Sequence, residues 1–550
     1  MAHSQVIPSP SQTPPGEQAD RRSPDAQLSL RVGGVLAAPE GAEKVQISVA
    51  SFATDGGFDP VAAGTAKLLP QAGAKLSLAD IYRVAGEVQQ TYFDAGYPLV
   101  RVFVPVQDLD RANAQIKLRI VSGFVGKVDV DALDRRVRKT VSRYLAPLIN
   151  RQPLTASELE RAVLLAGDVS GVALSTALTP GSHTGETVLI ASGKYSPVQA
   201  VLSVDNRLAR ELGREQITTS FAFNSLLGLG ERIGVTYAGA VDDISFSRSA
   251  LRRYFGAYVD LPLGNDGLVL GFDASSSRSR PQAAAALLAL SSRFEHGGGS
   301  LTYPLIRSRT SRLLTTANFD ANKEVQESLL LGFPVPLSRD ETRVLRFGIN
   351  GSTRLTPGSL VTGGLEYSRG LDALGARRAR NASIFEPLSR IGADAVFSKL
   401  TAHASIEVDL PKTAITGRFN GRAQTGFGKP LLRSEQFSVA APDLVSGPPT
   451  GSVVGDSGYA MRYQLEVALP VTNLRLAPYG FAAVADAKLA QPTAFEIKNT
   501  DIRSYGAGIR AAAPLTKGFS ITGQLEYSRT RSNDPNAKGN WFTFQIALRF

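Results

Sequence analysis

Not one cysteine occurs in the 550 residues. That absence removes a disulfide scaffold, a thiolate zinc site and a thiol nucleophile together. Histidine is nearly as scarce, with His3, His183, His296 and His403 as the whole set. None stands at HExxH or any other ligand spacing, so each reads as a surface or loop residue, and no metal site is expected. Long apolar runs are missing as well. The longest, Ala283–Leu290, falls far short of the ~20 residues a membrane helix needs. Mean hydropathy is −0.04, which would pass for a water-soluble chain. A membrane β-barrel gives the same value, because its two faces cancel residue by residue.

Chemistry-bearing motifs are equally sparse. There is no G-x-S-x-G elbow and no phosphate loop in context. Gly228-Leu229-Gly230 lies between two strand patterns and reads as a hairpin turn. Catalytic residues and cofactors are therefore not expected, and the chain does not read as an enzyme. The net charge of +11 raises nucleic acid as a partner, but the arginines are scattered and no aromatic–basic RNA motif accompanies them. Basic side chains at loop tips facing anionic lipid, or lining a pore, account for the excess.

What is present is alternation. In the last ten residues Phe542, Phe544, Ile546, Leu548 and Phe550 alternate with Thr543, Gln545, Ala547 and Arg549. Such a strand needs lipid on one side and water on the other. The same period recurs at Ile217–Phe223, Ile233–Tyr237, Leu345–Ile349, Ala404–Leu410, Met461–Leu469 and Phe519–Tyr527. A large soluble β-sandwich would also alternate. Here, however, the polar face carries many charges and the apolar face ends in aromatics near turns. From 198 to 550 there is room for roughly 15–18 strands, and an even count of about sixteen is expected.

Before that stretch the period is mixed. Residues 1–27 are rich in Pro, Ser and Gln and read as a flexible leader. With Pro8, Pro10, Pro14, Pro15 and Pro24 in place, no long helix is expected there. The leader also has no apolar core segment, so it does not read as a signal peptide. An outer-membrane destination would then place the start of the numbering near the mature end, or at a start chosen for expression. Residues 28–122 and 123–194 read as two α+β units in series. In the first, a Ser77-x-x-Asp80 capping signal precedes Ile81, Val84, Val88 and Tyr92 at helical spacing. In the second, a helix over Thr155–Val169 is followed by two strands joined at Pro180-Gly181.

Read in order, these segments resemble the two-partner secretion transporters, the TpsB (FhaC/ShlB-like) family of the BamA-like outer-membrane superfamily. The first α+β unit is similar to that family's first POTRA domain through Leu76–Asp80, Tyr92-Phe93-Asp94-Ala95-Gly96-Tyr97 and Val104-Pro105-Val106-Gln107. The second unit is similar to its second POTRA domain through Pro153-Leu154, Leu159–Leu165 and Leu178-Thr179-Pro180-Gly181. Val204-Asp205-Asn206-Arg207, Asn224–Gly228 and Tyr303–Arg309 follow where the barrel should begin. The resemblance implies a C-terminal antiparallel transmembrane barrel of sixteen strands over 195–550 in the bacterial outer membrane. Two periplasmic POTRA domains would precede it. It also implies export of one large unfolded, β-helical (TpsA-like) exoprotein, contact with outer-membrane lipid and lipopolysaccharide, and insertion by the barrel assembly machinery. The final aromatic strand would serve that machinery as a signal. Other roles within the superfamily are an outer-membrane assembly factor, or a barrel that anchors a surface partner without transport.

One departure stands out. The superfamily's long loop folds back into the lumen with a Val-Arg-Gly-aromatic tip, and its Arg meets an Asp on an inward barrel face. Here the tip reads Val445-Ser446-Gly447-Pro448. Asp486 is present as the expected inward partner, opposite Phe481. Either Arg433 or Arg462 is then expected to supply the missing cation, or the loop is held differently.

Overall fold

The computed structural model describes residues 27–28, 38–58, 61–107, 110–243, 250–282, 290–328, 334–516 and 518–550. The leader, with the expectation that it forms no long helix, lies outside the described residues apart from Gln27. So do His3 and nearly all of the Ala283–Leu290 run.

The first α+β unit is a four-stranded sheet under a helix. Its strand Gln46–Gly56 pairs in parallel with Ala114–Val121 and antiparallel with Lys75–Ser77, and Arg101–Phe103 forms the far edge. The helix Leu78–Asp94 starts at the expected place. Ser77 Oγ accepts from the Asp80 N–H, and the Asp80 carboxylate accepts back from the Ser77 N–H. That reciprocal pair satisfies two orphan donors of the first turn. Ile81, Ala85, Val88 and Tyr92 face the sheet and are fully buried.

The second unit repeats the plan. Helices Arg135–Leu145 and Ala156–Gly167 pack on strands Phe124–Asp129, Val172–Pro180 and Glu186–Tyr195. Thr155 and Glu158 form a second capping box. A backbone segment of the leader, Gln27–Leu28, lies parallel to Ser175–Thr176 and takes up the outer edge of this sheet. At the hairpin, Glu186 accepts hydrogen bonds from the Ser182 and His183 N–H groups. A Cβ at Gly181 would sit 2.5 Å from the Glu186 side chain, so glycine is required for this closure.

From Val198 to Arg549 sixteen antiparallel strands close a barrel. Ser457–Val467 and Leu469–Val471 both pair with Leu474–Lys488 and count as one strand. Large apolar side chains stand exposed around its outside, among them Phe255, Phe272, Phe347, Tyr463, Leu465, Leu525 and Tyr527. A water-facing surface would not tolerate so continuous a belt; lipid requires it. Phe542, Ile546 and Phe550 belong to the belt, at 61%, 46% and 47% exposure. The Gly228–Gly230 segment forms the expected turn, with both glycines at positive φ. Two histidines correct the loop reading. His296 and His403 lie within barrel strands, and His296 bonds Asp273 and Asn322 across the sheet.

Hydrogen bonds from His183 and Ser182 hold the Glu186 carboxyl at about 2, below its ordinary 4.5. A lowered acid stabilises the fold above its ordinary pKa and loses that contribution as pH falls through the folded value. Hydrogen exchange in the 181–186 hairpin, corrected for intrinsic rates, should stay level above about pH 5 and quicken between about 4.5 and about 2. Glu186→Gln should remove that dependence.

Candidate functional site

Residues 426–456 join two adjacent barrel strands, Ile415–Thr425 and Ser457–Val467, but do not stay outside the barrel. They fold back into the lumen, with Phe437–Ser438 and Val454–Gly455 paired as a short internal hairpin. Phe437, Val439, Leu444, Val445 and Val453 pack there against Tyr479, Phe481, Ala483 and Ala485 of the wall. An apolar patch of wall is thus covered by the loop rather than by lipid.

Three buried polar clusters pin this loop. At its start, the Glu435 carboxylate is 1% exposed and takes two hydrogen bonds from Arg346 at 2.8 and 3.1 Å. Lys399 Nζ sits 2.8 Å from the same group. At its end, both carboxylate oxygens of Asp456 accept from Arg390 at 2.6 and 2.7 Å. The N–H groups of Leu431 and Ala490 complete that shell at 2.9 and 2.7 Å, so one buried carboxylate ties three loops together. Each charge is paired and further hydrogen-bonded, the condition under which burial is tolerated.

The third cluster holds the tip. Ser446 donates its hydroxyl to Glu526 on the strand Phe519–Ser532 and accepts from Arg462 Nη1 at 2.9 Å. Arg462 Nη2 donates to Glu526 Oε2 at 2.6 Å, and Tyr479 donates to the same oxygen at 2.8 Å. The guanidinium also lies 3.6 Å from the centre of the Phe481 ring. Arg462 and Glu526 are about as buried as a hydrophobic core residue, at 2% and 1%. Beside them, a Cβ on Gly447 would come within 2.6 Å of the Trp541 ring, so the tip is glycine for want of space. Val445 and Pro448 flank it, Val445 in the apolar patch and Pro448 facing the seam between the first and last strands.

One expectation about this site is corrected. Asp486 does not face the lumen. It shares its side of the strand with Val484, which is 40% exposed, and its nearest cation is Lys488 at 3.7 Å. Phe481 is the inward residue, because the loop supplies an apolar partner inside the barrel. The anion at the tip is Glu526, one of the polar positions in the 519–528 alternation. Of the two proposed cations, Arg462 stands at the tip. Arg433 lies higher, where its backbone N–H donates to Ser389.

The second α+β unit is clamped to the turns at the near end of the barrel. Arg307 donates to both oxygens of Asp168 at 2.8 and 2.9 Å. Arg161 reaches Asp266 at 2.9 Å and the Pro304 carbonyl at 2.9 Å, while Tyr303 donates to Asp266. Tyr195 Oη donates to the Asn224 carbonyl at 2.5 Å. The Tyr303–Arg309 motif is therefore a docking face for the domain beneath.

The model of the haemolysin secretion/activation proteins ShlB, FhaC and HecB matches residues 185–511, and that of the ShlB-type POTRA domain matches residues 61–123. The chain belongs to the ShlB/FhaC/HecB family. It is 24% identical over 451 residues to the heme/hemopexin transporter protein HuxB of Haemophilus influenzae (strain 86-028NP), covering 80% of this chain and 75% of that one. It is 23% identical to the outer membrane transporter CdiB of Dickeya dadantii, over 71% and 66% of the two chains. CdiB from Escherichia coli superposes with a TM-score of 0.69 at 18% identity, over 97% of this chain and 96% of the other. This ShlB-family protein is thus an outer-membrane transporter of the two-partner secretion type, with its POTRA domains in the periplasm.

Where the resemblance implies an arginine on the loop, the cation here stands on the wall as Arg462. The swap can be tested as a cycle. Arg462→Ser should leave Glu526 buried without its cation and cost about 3 kcal/mol, roughly a hundredfold in favour of a released loop. Ser446→Arg should place two guanidinium groups on one carboxylate and also release the loop. The double variant Ser446→Arg/Arg462→Ser should restore docking, and Asp486→Asn should change nothing. Single-channel conductance in planar bilayers reads each case.

Proposed function

We propose that the chain exports one large exoprotein in extended form, that the POTRA domains receive it, and that the lumen loop is the gate it must displace. The observation carrying this reading is the triple pinning of a folded loop inside a sixteen-stranded barrel. A purely structural barrel has no use for a plug held by buried ion pairs, whereas a gate needs contacts strong enough to close and few enough to release. HuxB, CdiB and HpmB of Proteus mirabilis are named as a heme/hemopexin, an outer-membrane and a hemolysin transporter. By analogy the cargo here is a secreted partner, β-helical once folded outside.

Capture by strand addition fits the sheets. Backbone hydrogen bonds along an edge accept varied sequence, as an unfolded client demands. The leader already lies on one edge of the second sheet, so we place first contact on the Arg101–Phe103 edge of the first, where Phe103 is 39% exposed. The outward row Phe542, Phe544, Ile546, Leu548 and Phe550 would meet lipid, lipopolysaccharide and, during insertion, the barrel assembly machinery.

The serine at the tip, in place of the arginine the resemblance implies, is the one observation that favours a second reading, a barrel that anchors a surface partner. Arg462 supplies that charge from the wall, which favours the transport reading. Deleting residues 28–194 should abolish surface appearance of the exoprotein while the barrel still inserts. Secretion that survived the deletion would overturn the role given to the POTRA domains, and a chain whose intact form secreted nothing would leave the anchoring role in its place.

A further inference from the structure

On the outer wall of the barrel the apolar belt ends against a patch of one charge. Along the strand Phe519–Ser532 the lipid-facing row reads Phe519, Ile521, Gly523, Leu525 and Tyr527, and then turns to Arg529 and Arg531. Phe519 stacks on Phe550, whose backbone pairs with Ala200 just beyond the second α+β unit, so the row rises from the periplasmic end. From Phe519 to Tyr527 it covers about 27 Å of strand, or roughly 21 Å across the bilayer at a tilt of ~40°. The apolar band of a barrel is ~25 Å tall. The two arginines therefore stand where the outer leaflet changes from acyl chain to headgroup.

Arg503, on the neighbouring strand Asn499–Thr516, completes a triangle. It is the direct cross-strand partner of Arg531, and Tyr505 below it is the partner of Arg529. Paired strands lie ~4.8 Å apart and same-face neighbours on one strand ~7 Å apart, so three guanidinium groups share one small area. All three residues are exposed. Among the described residues none of them makes an ion pair or a side-chain hydrogen bond. Asp501 stands one outward position above Arg503, opposite Asp486, and neither acid pairs with the triangle. Like charges at directly paired positions repel, so the arrangement is costly unless an anion comes to it. Tyr505, Tyr527 and Phe542 lie exposed just below, as the aromatic girdle of a membrane interface does.

The anion available at that height is a lipid headgroup. A phospholipid offers one phosphate diester, whereas the glycolipid of the outer leaflet carries phosphate monoesters with more charge and more acceptor oxygens. Guanidinium forks match such oxygens in parallel pairs of hydrogen bonds, and basic sites at a membrane surface take phosphorylated headgroups. We propose that Arg503, Arg529 and Arg531 hold a phosphate of one lipopolysaccharide molecule, whose acyl chains lie along the aromatic and aliphatic row beneath. This gives the lipopolysaccharide contact proposed above a site. It rests on the outer-membrane placement of the barrel and not on the cargo.

The purified full-length protein in detergent, stripped of bound lipid, would be titrated with bis-phosphorylated lipid A and followed by native mass spectrometry. A saturable adduct is expected. Dephosphorylated lipid A, phosphatidylglycerol and inorganic phosphate should each bind at least about tenfold more weakly. The double variant Arg503→Gln/Arg531→Gln should weaken lipid A binding by about tenfold or more, and Arg529→Gln several-fold. Arg531→Lys should recover only part of the loss, since an ammonium group keeps the charge but not the fork. Arg475→Gln, at the periplasmic end of its strand, should leave binding unchanged. Equal binding of dephosphorylated lipid A or phosphatidylglycerol, or undiminished binding by the double variant, would overturn the site. The comparison of lipids needs no variant, so a substitution that fails to fold does not block the test. Secretion after deletion of 28–194 is a separate measurement, so failure of the site and failure of the transport reading are told apart.

Discussion

The buried pair between Arg462 and Glu526 is the constraint on which the docked loop depends. Both charges lie out of water, where an unpaired partner would be expensive and a paired one is held firmly. Ser446 enters between them as a neutral hydroxyl that satisfies one group and is satisfied by the other. The loop therefore docks by completing a cluster that the wall already contains. A loop that carried its own arginine would have to expose or rehydrate that charge on leaving. Here the cation stays behind with its carboxylate, and only a hydroxyl is withdrawn.

Around that cluster the barrel divides its apolar surface in two. Most of it faces outward and is covered by lipid, as the exposed row of aromatic and aliphatic side chains requires. A smaller patch faces inward and is covered by the loop, through Phe437, Leu444 and Val445 on Phe481 and its alanine neighbours. Pinning at Glu435 and Asp456 fixes where the loop enters and leaves, so this patch is covered in one register. At the periplasmic rim the Arg307–Asp168 and Arg161–Asp266 pairs fix the second α+β unit under the same wall.

Local signals were legible wherever the chemistry is local. The capping box at Ser77, the helix beginning at Thr155, the turn at Gly228–Gly230 and the period-2 strands all depend on residues within a few positions of one another. The location of the lumen loop was legible too, through the resemblance at the tip Val445-Ser446-Gly447-Pro448. The identity of its acidic partner was not. Alternation separates two faces but does not say which is inward, and the usual rule that the apolar face meets lipid fails under an inserted loop. Phe481 obeyed that exception, and with it Asp486 turned outward. His296 was misplaced for a related reason, since a histidine in a water-lined strand looks in sequence like one in a loop.

Taken alone, the order of residues determined that this chain forms two α+β units and then a long series of two-faced strands, because each follows from neighbours in sequence. It also named a serine where a charge was expected. Which cation and which carboxylate would replace that charge was decided only by closure of the barrel. Arg462 and Glu526 stand on strands separated by two others in the chain, and Ser446 arrives from a loop that crosses the lumen. Such a meeting is set by register and shear around the whole cylinder, which no short stretch of sequence contains.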